Sequence, residues 1–363
     1  MKPRKLVLNN GMEFIGYGEG CEKVAEVIFN TSMIGYQDIL KNPYYTGKFV
    51  CMTYPLMGNY GASDDDFGHR EYRVSGFIVK DESFVQSNFR YLDTMKDVLD
   101  ANDVTLLCGI DTRMLCKVIR NEGSMLGIIT DVNVSKEEAL AKIGKYQAPN
   151  HLVNKLTTKR MNVIKANKPK YQIACLDLGY KQNVVSELTS RKCNVTMLPF
   201  NADANKILST NANALVVTDG PDNPEDLKEV VETIKALIGK LPIIGIGLGH
   251  LIVAMACGAN VVKMKFGHHG ANHSVKCLKN NKILITNQAH QYEVDSNSLN
   301  DCSLKPTYIN LNDNSVEALE SKEDLIITTQ LDFNNVSGPS CVKSIYDELI
   351  AVLKSNKGGS NRA

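Results

Sequence analysis

From residue 171 onward, short apolar segments alternate with stretches of helical periodicity, and few folds accommodate that pattern. The strand candidates are Tyr171–Leu176, Asn194–Pro199, Ala214–Thr218 and Leu241–Ile246, with helical patterns at Lys181–Ser190 and Pro224–Ile238. Strands that are joined through helices run parallel and are covered on both faces. The second half of the chain is therefore predicted to be α/β with a mostly parallel sheet, closed by a helix at Cys341–Lys354.

The first half of the chain lacks this alternation and is predicted to be a sheet-rich domain. Its strand candidates are Lys5–Leu8, Val24–Phe29, Lys48–Tyr54 and Ser75–Val79, and helices are predicted at Asp111–Asn121 and Ser135–Tyr146. A length of 363 residues also favours two domains. We expect a first domain at 1–150, a Lys- and Asn-rich linker at 151–170, a second domain at 171–356 and a frayed tail at 357–363.

Composition excludes several classes of function. With 41 basic and 40 acidic residues the net charge is +1, which gives no broad attraction for nucleic acid or an anionic membrane. No apolar run reaches the roughly 18 residues of a membrane span, and the amino terminus lacks the apolar block of a secretory signal. We therefore expect a cytoplasmic protein. The ten cysteines include no C-x-x-C pair, so neither disulfides nor a structural zinc site is predicted.

A glycine turn follows the strand candidate Leu241–Ile246 and carries three possible interpretations. A dinucleotide-binding turn needs an acidic residue about twenty positions downstream, but no Asp or Glu occurs between Glu232 and Glu293. A nucleophile elbow would have Gly245 and Gly249 at its flanks, but its central position is glycine 247, which has no nucleophile. The third interpretation is a tight turn that only allows close packing of strand and helix.

Several short motifs from both halves of the chain decide between the last two interpretations. They lie at Asn30–Gln37, Tyr54–Asn59, Ser87–Arg90, Gly109–Arg113, Lys263–His273 and Ser337–Pro339. Together, and in this order, they resemble the small, glutamine amidotransferase subunit of carbamoyl-phosphate synthetase. That resemblance implies a class I amidotransferase domain without a cofactor. In the family, an elbow cysteine attacks the glutamine amide, a histidine oriented by a glutamate moves the protons, and ammonia passes to a large synthetase subunit.

The resemblance also shows that the catalytic residues have changed. The elbow nucleophile corresponds to Gly247, and the histidine and glutamate correspond to Asp332 and Asn334. The last histidine anywhere in the chain is His290, so no imidazole remains for the base. Cys175 and Cys257 are the nearest thiols to consider, and both are predicted to be buried. No metal site is predicted at His268, His269 and His273, because that stretch has no acidic ligand.

The former glutamine pocket has changed as well. The resemblance places it at Tyr44, Gly220, Asp222, Leu248, Leu251, Gln288, Gln291 and Tyr292. Tyr44 replaces a substrate-holding serine, Leu251 replaces a glutamine, and Gln291 replaces a glycine. Asp222 replaces the second glycine of the strand end that shapes the oxyanion site, and we expect its charge to oppose a developing oxyanion.

These changes predict a non-catalytic structural or regulatory partner of an ammonia-using synthetase subunit, in either pyrimidine or arginine biosynthesis. Two alternatives stay open at this point. One is an active glutamine amidotransferase subunit with an unorthodox nucleophile. The other is a module that binds a different small ligand, for which Asp222 and Asp332 would favour a cation.

Overall fold

The chain divides into two compact units in a computed structural model. Unit 1 comprises Met1–Pro149 with Lys265–Gly270, and unit 2 comprises Asn150–Met264 with Ala271–Ala363. The structure describes residues 1–63, 73–83, 85–149, 151–180, 182–332 and 345–359, with side chains described through residue 355 except at 182. The predicted site residue Asn334 and the motif Ser337–Pro339 lie outside these described residues. None of the described helices is long and apolar enough to cross a membrane.

The described part of unit 1 is built on short strands with four helices. Its strands are β1 (Lys2–Leu8), β2 (Glu13–Glu19), β3 (Lys23–Asn30), β4 (Phe49–Met52), β5 (Leu56–Met57), β6 (Gly76–Ile78), β7 (Asp81–Glu82), β8 (Thr105–Cys108) and β9 (Met125–Asp131). Its helices are α1 (Tyr36–Lys41), α2 (Met95–Ala101), α3 (Thr112–Glu122) and α4 (Lys136–Lys145), with a 3-10 turn at Pro43–Tyr45. Seven strands close into a barrel in the order β1-β2-β8-β6-β4-β3-β9, which confirms a sheet-rich first domain.

The barrel closes around an apolar interior that the strand periodicity supplies. In β2, Phe14 is buried and the next residue, Ile15, is exposed, as alternation on a half-buried strand requires. The helices begin where capping residues predict. The Asp111 carboxylate accepts a hydrogen bond from Met114 N at the start of α3, and the Ser135 hydroxyl accepts one from Glu138 N at the start of α4.

Unit 2 contains one large mixed sheet. Its strands are β10 (Asn162–Ile164), β11 (Tyr171–Asp177), β12 (Cys193–Pro199), β13 (Ala214–Val217), β14 (Ile243–Ile246), β15 (Val261–Cys277), β16 (Ile283–Val294), β17 (Lys305–Asn310), β18 (Val316–Ser321), β19 (Ile326–Thr329) and β20 (Leu331–Asp332). Its helices are α5 (Val153–Leu156), α6 (Gln182–Ser190), α7 (Ala204–Leu208), α8 (Lys228–Lys235), α9 (Leu248–Ala256) and α10 (Ile345–Gly359). The strand order is β10-β12-β11-β13-β14-β19-β18-β17-β15-β16-β20.

The centre of this sheet, β12-β11-β13-β14-β19, is parallel, as the strand-helix alternation predicted. Successive residues of its strands enter different cores. Leu176 packs in a cluster with Ile252 of α9, whereas the preceding Cys175 packs in a second cluster with Leu188 of α6 and Leu349 of α10. Both faces of the parallel strands are therefore covered by helices.

Regular secondary structure occupies part of the segment 151–170, which was predicted to be a linker. It contains α5 and β10, and Val163 of β10 pairs antiparallel with Thr196 of β12. The apolar periodicity of this segment is weak because β10 is an edge strand of the sheet, where Val163 stays exposed. The closing helix likewise continues to Gly359, into the predicted frayed tail.

Candidate functional site

The glycine turn lies between a parallel strand and a helix of unit 2. β14 ends at Ile246, Gly247 forms the turn with φ 57° and ψ −115°, and α9 begins at Leu248. The Gly247 N–H donates to Thr329 O at 2.9 Å, and the Gly249 N–H donates to Thr218 O at 3.1 Å. The turn therefore has the left-handed backbone of a strand-to-helix elbow, at the carboxyl end of the sheet where α/β proteins bind their ligands.

The two flanking glycines are required by close packing. A Cβ atom at Gly245 would lie 2.6 Å from Gly249 O, and one at Gly249 would lie 2.2 Å from Val217 O. Neither position has room for a side chain. The elbow is thus held tightly against its neighbouring strand, although its central residue has no reactive group.

A carboxylate occupies the place beside the elbow where a side chain of residue 247 would lie. Asp219 Oδ1 accepts hydrogen bonds from Gly220 N at 2.8 Å and from Leu248 N at 2.9 Å. A Cβ atom at Gly247 would lie only 2.1 Å from this oxygen. Asp219 was not among the site residues predicted from the sequence. The available signal was its position, one residue before Gly220 at the end of β13.

Asp222, which was expected to oppose an oxyanion, points elsewhere. Its two carboxylate oxygens accept hydrogen bonds from Leu152 N at 2.8 Å and Val153 N at 3.0 Å, at the start of α5. Burial raises the pKa of Asp222, and these two backbone donors act in the opposite direction. The charge next to the elbow therefore belongs to Asp219, and the expectation for Asp222 was wrong.

A small pocket opens beside Gly247 in unit 2. Its described lining residues are Asn183, Val184, Asp219, Ile246, Gly247, Ala289, Gln330, Leu331, Asp332 and Tyr346. Its volume is about 30 Å³, which suits one or two waters. Asp332, predicted to stand at the position of the family's histidine, lies here, and Asn287 Nδ2 donates to its Oδ2 at 3.3 Å. The structure therefore brings Gly247 and Asp332 to one pocket.

The other predicted pocket residues are mostly committed to packing. Leu248 and Leu251 are buried in the apolar core that covers one face of the sheet. Gln288 is buried, donating to Thr286 Oγ1 and accepting from Asn310 Nδ2, both at 3.4 Å. Gln291 is also buried, and Tyr292 O accepts from Gln330 Nε2 at 3.1 Å. None of these five residues is among the described lining residues of the pocket beside Gly247.

Tyr44 belongs to unit 1, where it has a structural contact. Its hydroxyl lies 2.9 Å from His269 Nε2, in the segment of β15 that forms part of unit 1. In the same unit Phe266 stacks on Phe29, and Thr31 N donates to His269 O at 3.0 Å. The motif around these β15 residues therefore contributes to the packing of unit 1.

Two histidines of unit 2 are buried behind the elbow. His250, in the first turn of α9, has its Nδ1 2.8 Å from Thr328 Oγ1, and burial lowers the pKa of His250 to about 3. His290 Nδ1 donates to Tyr292 O at 3.0 Å, and its Nε2 lies 3.4 Å from Glu317 Oε2. With its pKa this low, His250 is neutral near pH 7 and a weak base.

Neither candidate thiol has the properties of a nucleophile. Cys175 is fully buried in β11, and burial raises its pKa well above the usual value. Cys257 follows the end of α9, and burial raises its pKa to about 12. Thiols with raised pKa values stay protonated at neutral pH and attack carbonyl carbon poorly. All nine cysteines in the described part of the chain are free.

Comparisons with known proteins agree with this two-part architecture. Residues 6–129 match the family model described as carbamoyl-phosphate synthase small chain, CPSase domain, and residues 174–339 match glutamine amidotransferase class-I. The chain is 40% identical to a carbamoyl phosphate synthase small chain of Bacillus caldolyticus, over 98% of both chains. It is 38% identical to one from Fusobacterium nucleatum, over 98% of this chain and 99% of the relative. The predicted family and fold class are confirmed.

A solved structure gives a weaker match. A glutamine amidotransferase of Thermotoga maritima superposes with a TM-score of 0.35 at 15% identity, covering 53% of this chain and 86% of that protein.

Proposed function

This chain belongs to the carbamoyl-phosphate synthase small chain family, and on that premise we propose that it is a subunit without glutaminase activity. Its role is structural or regulatory, and its partner is a large synthetase subunit that uses free ammonia. The observation that carries this proposal is the elbow itself. Gly247 has no side chain. The Asp219 carboxylate fills the adjacent space and accepts hydrogen bonds from the Gly220 and Leu248 N–H groups.

Glutamine hydrolysis through a thioester makes three demands on a site. It needs a thiolate to attack the amide carbon, a base that moves protons, and donors that stabilise the tetrahedral oxyanion. Here residue 247 is glycine, the histidine counterpart is Asp332, and the Gly220 and Leu248 N–H groups are bound by Asp219. All three demands are unmet at once, which supports loss of the activity rather than a slowed reaction.

The two alternatives receive less support. An unorthodox nucleophile would have to be a thiol that is buried and protonated, as Cys175 and Cys257 are. A pocket of about 30 Å³ is far smaller than the several hundred Å³ typical of small-molecule sites. The cation suggested by Asp222 and Asp332 also loses its basis, because Asp222 binds the backbone of α5.

The surface proposed for the large subunit lies on unit 1. Met33 and Ile34 are 64% and 58% exposed, and Phe89 is 89% exposed. The segment that contains Met33 and Ile34 and the segment that contains Phe89 both contact the loop at residues 59 and 60. Tyr60 Oη accepts from Gly35 N at 3.0 Å, and Ser87 N donates to Asn59 O at 2.9 Å. Exposed apolar side chains grouped in this way are typical of protein-binding surfaces.

Substitution of this surface tests the docking proposal. We expect the purified chain and the large subunit of the same organism to form a complex at micromolar concentration, burying about 1,600 Å² or more. Met33→Asp and Phe89→Asp should each weaken binding at least roughly tenfold, because they place a charge in an apolar interface. Ile15→Asp, at a residue 68% exposed on β2, is the matched control. A native chain that stays monomeric with the large subunit would contradict the proposal.

A further inference from the structure

Two backbone donors converge on a single oxygen beside the elbow. The Gly220 and Leu248 N–H groups lie 2.8 and 2.9 Å from Asp219 Oδ1. Paired backbone donors at such distances are the arrangement that stabilises an oxyanion, and one of them opens α9, where the helix dipole adds to the attraction. In this chain the anion that they bind is one of its own side chains.

The same carboxylate excludes a side chain at residue 247. A Cβ atom built on Gly247 lies 2.1 Å from Asp219 Oδ1, 2.3 Å from Cγ and 3.0 Å from Cβ. Non-bonded carbon and oxygen atoms cannot approach so closely, so one of the two groups has to move. Either the Asp219 carboxylate or a side chain at 247 can occupy this space.

We propose that Asp219 is a built-in blocker of the elbow: its carboxylate binds the oxyanion donors and must leave this space before position 247 can carry a side chain. The glycine and the aspartate then form one coupled feature rather than two independent losses. This inference deepens the proposed function and rests on it for the identity of the site. It follows that a cysteine restored at 247 meets both a steric conflict and an occupied oxyanion site until residue 219 also changes.

A double-mutant cycle in the full-length chain tests this coupling. Gly247→Ala adds only the Cβ atom, and its cost at φ 57° is the same whatever residue stands at 219. We expect Gly247→Ala to lower the folding equilibrium constant at least roughly tenfold more in the native background than in the Asp219→Ala background. Asp219→Asn is the matched control, because it keeps the atoms that collide, and there the full penalty should remain. Equal penalties in the native and Asp219→Ala backgrounds would overturn the proposal.

Amide hydrogen exchange provides a second measurement that needs no change at Gly247. The Gly220 and Leu248 amides should exchange at least roughly tenfold faster in Asp219→Ala than in the native chain, because their acceptor is lost. The Gly247 and Gly249 amides, bound to Thr329 O and Thr218 O, are internal controls that should keep their rates. Unchanged exchange at Gly220 and Leu248 would also overturn the proposal. Neither readout involves glutamine, so failure of the blocker and failure of the proposed function are distinguishable.

Discussion

His250 is the histidine next to the elbow, and burial decides its protonation. It is fully buried, its Nδ1 contacts Thr328 Oγ1 at 2.8 Å, and its Nε2 has no hydrogen-bond partner among the described residues. Burial lowers its pKa to about 3, although the nearby Glu317 carboxylate acts to raise it. His250 is therefore neutral in the folded chain across the physiological range and stabilises the fold only in that form.

This burial predicts a pH dependence of stability. In the unfolded chain His250 takes up a proton near pH 6.5, whereas in the folded chain it stays neutral down to about pH 3. The stabilisation that comes from keeping His250 neutral is complete above pH 6.5. As the pH falls below that value, the free energy of unfolding decreases by about 1.4 kcal/mol per pH unit. Urea unfolding should therefore show a loss of about 2 kcal/mol from this residue between pH 7 and pH 5.

His250→Asn is the matched variant for this prediction, because its amide can keep the contact with Thr328. Between pH 7 and pH 5, the free energy of unfolding of the variant should fall by about 2 kcal/mol less than that of the native chain, because the variant lacks the group that takes up a proton on unfolding. Equal pH dependence of the two chains would show that His250 does not titrate on unfolding as described.

That residue 247 has no nucleophilic side chain could be recognised from the sequence, because residue identity alone decides it. The direction in which an acidic side chain points could not be recognised from the sequence. Asp222 was expected beside the oxyanion site but caps α5, while Asp219, which was not considered, binds Gly220 and Leu248. Which of two acidic residues faces a site depends on the backbone at the end of β13, and no sequence pattern specifies that geometry.

The β14–α9 connection shows how closely the elbow is packed, and it yields a stability prediction. Gly249→Ala would place a Cβ atom 2.2 Å from Val217 O, so strand and helix would have to separate. We expect a loss of about 3 kcal/mol or more in the free energy of unfolding, typical of overpacking at a backbone contact. Gly258→Ala is the comparison. Open space surrounds Gly258, so its φ of 95° should be the only source of destabilisation. The free energy of unfolding should fall by about 1–2 kcal/mol.

Chemical denaturation of the two variants measures the difference. A Gly249→Ala chain as stable as the Gly258→Ala chain would contradict the close approach of β13 and α9.

Strands were predictable from the sequence where both of their faces are buried. They were less predictable where they depend on pairing with a segment that is distant in the sequence. The strand predicted at Tyr171–Leu176 is observed at Tyr171–Asp177, because its side chains are buried on both faces. Closure of the barrel in unit 1 could not be predicted, because it requires β1 to pair with both β2 and β9. The pairing of β1 with β9 joins segments more than a hundred residues apart, which local periodicity does not report.

At the scale of the whole chain, both domains of the family are recognisable and the residue at the centre of the elbow is glycine. Both family domains are matched, at residues 6–129 and 174–339, and the parallel sheet of unit 2 is covered on its two faces. At the elbow, Gly247, Asp219 and Asp332 line one small pocket. These features agree with the proposal that the scaffold serves assembly with a partner and that the elbow performs no glutamine chemistry.

The direct test of this assignment is synthesis of carbamoyl phosphate by the reconstituted complex with each nitrogen source in turn. Ammonia should support synthesis, and glutamine should support none, with no release of glutamate by the small subunit alone or in the complex. A family member with an elbow cysteine, assayed in the same way, is the positive control. Sustained glutamine-dependent synthesis that Cys175→Ser or Cys257→Ser abolishes would contradict the account and establish a nucleophile outside the elbow.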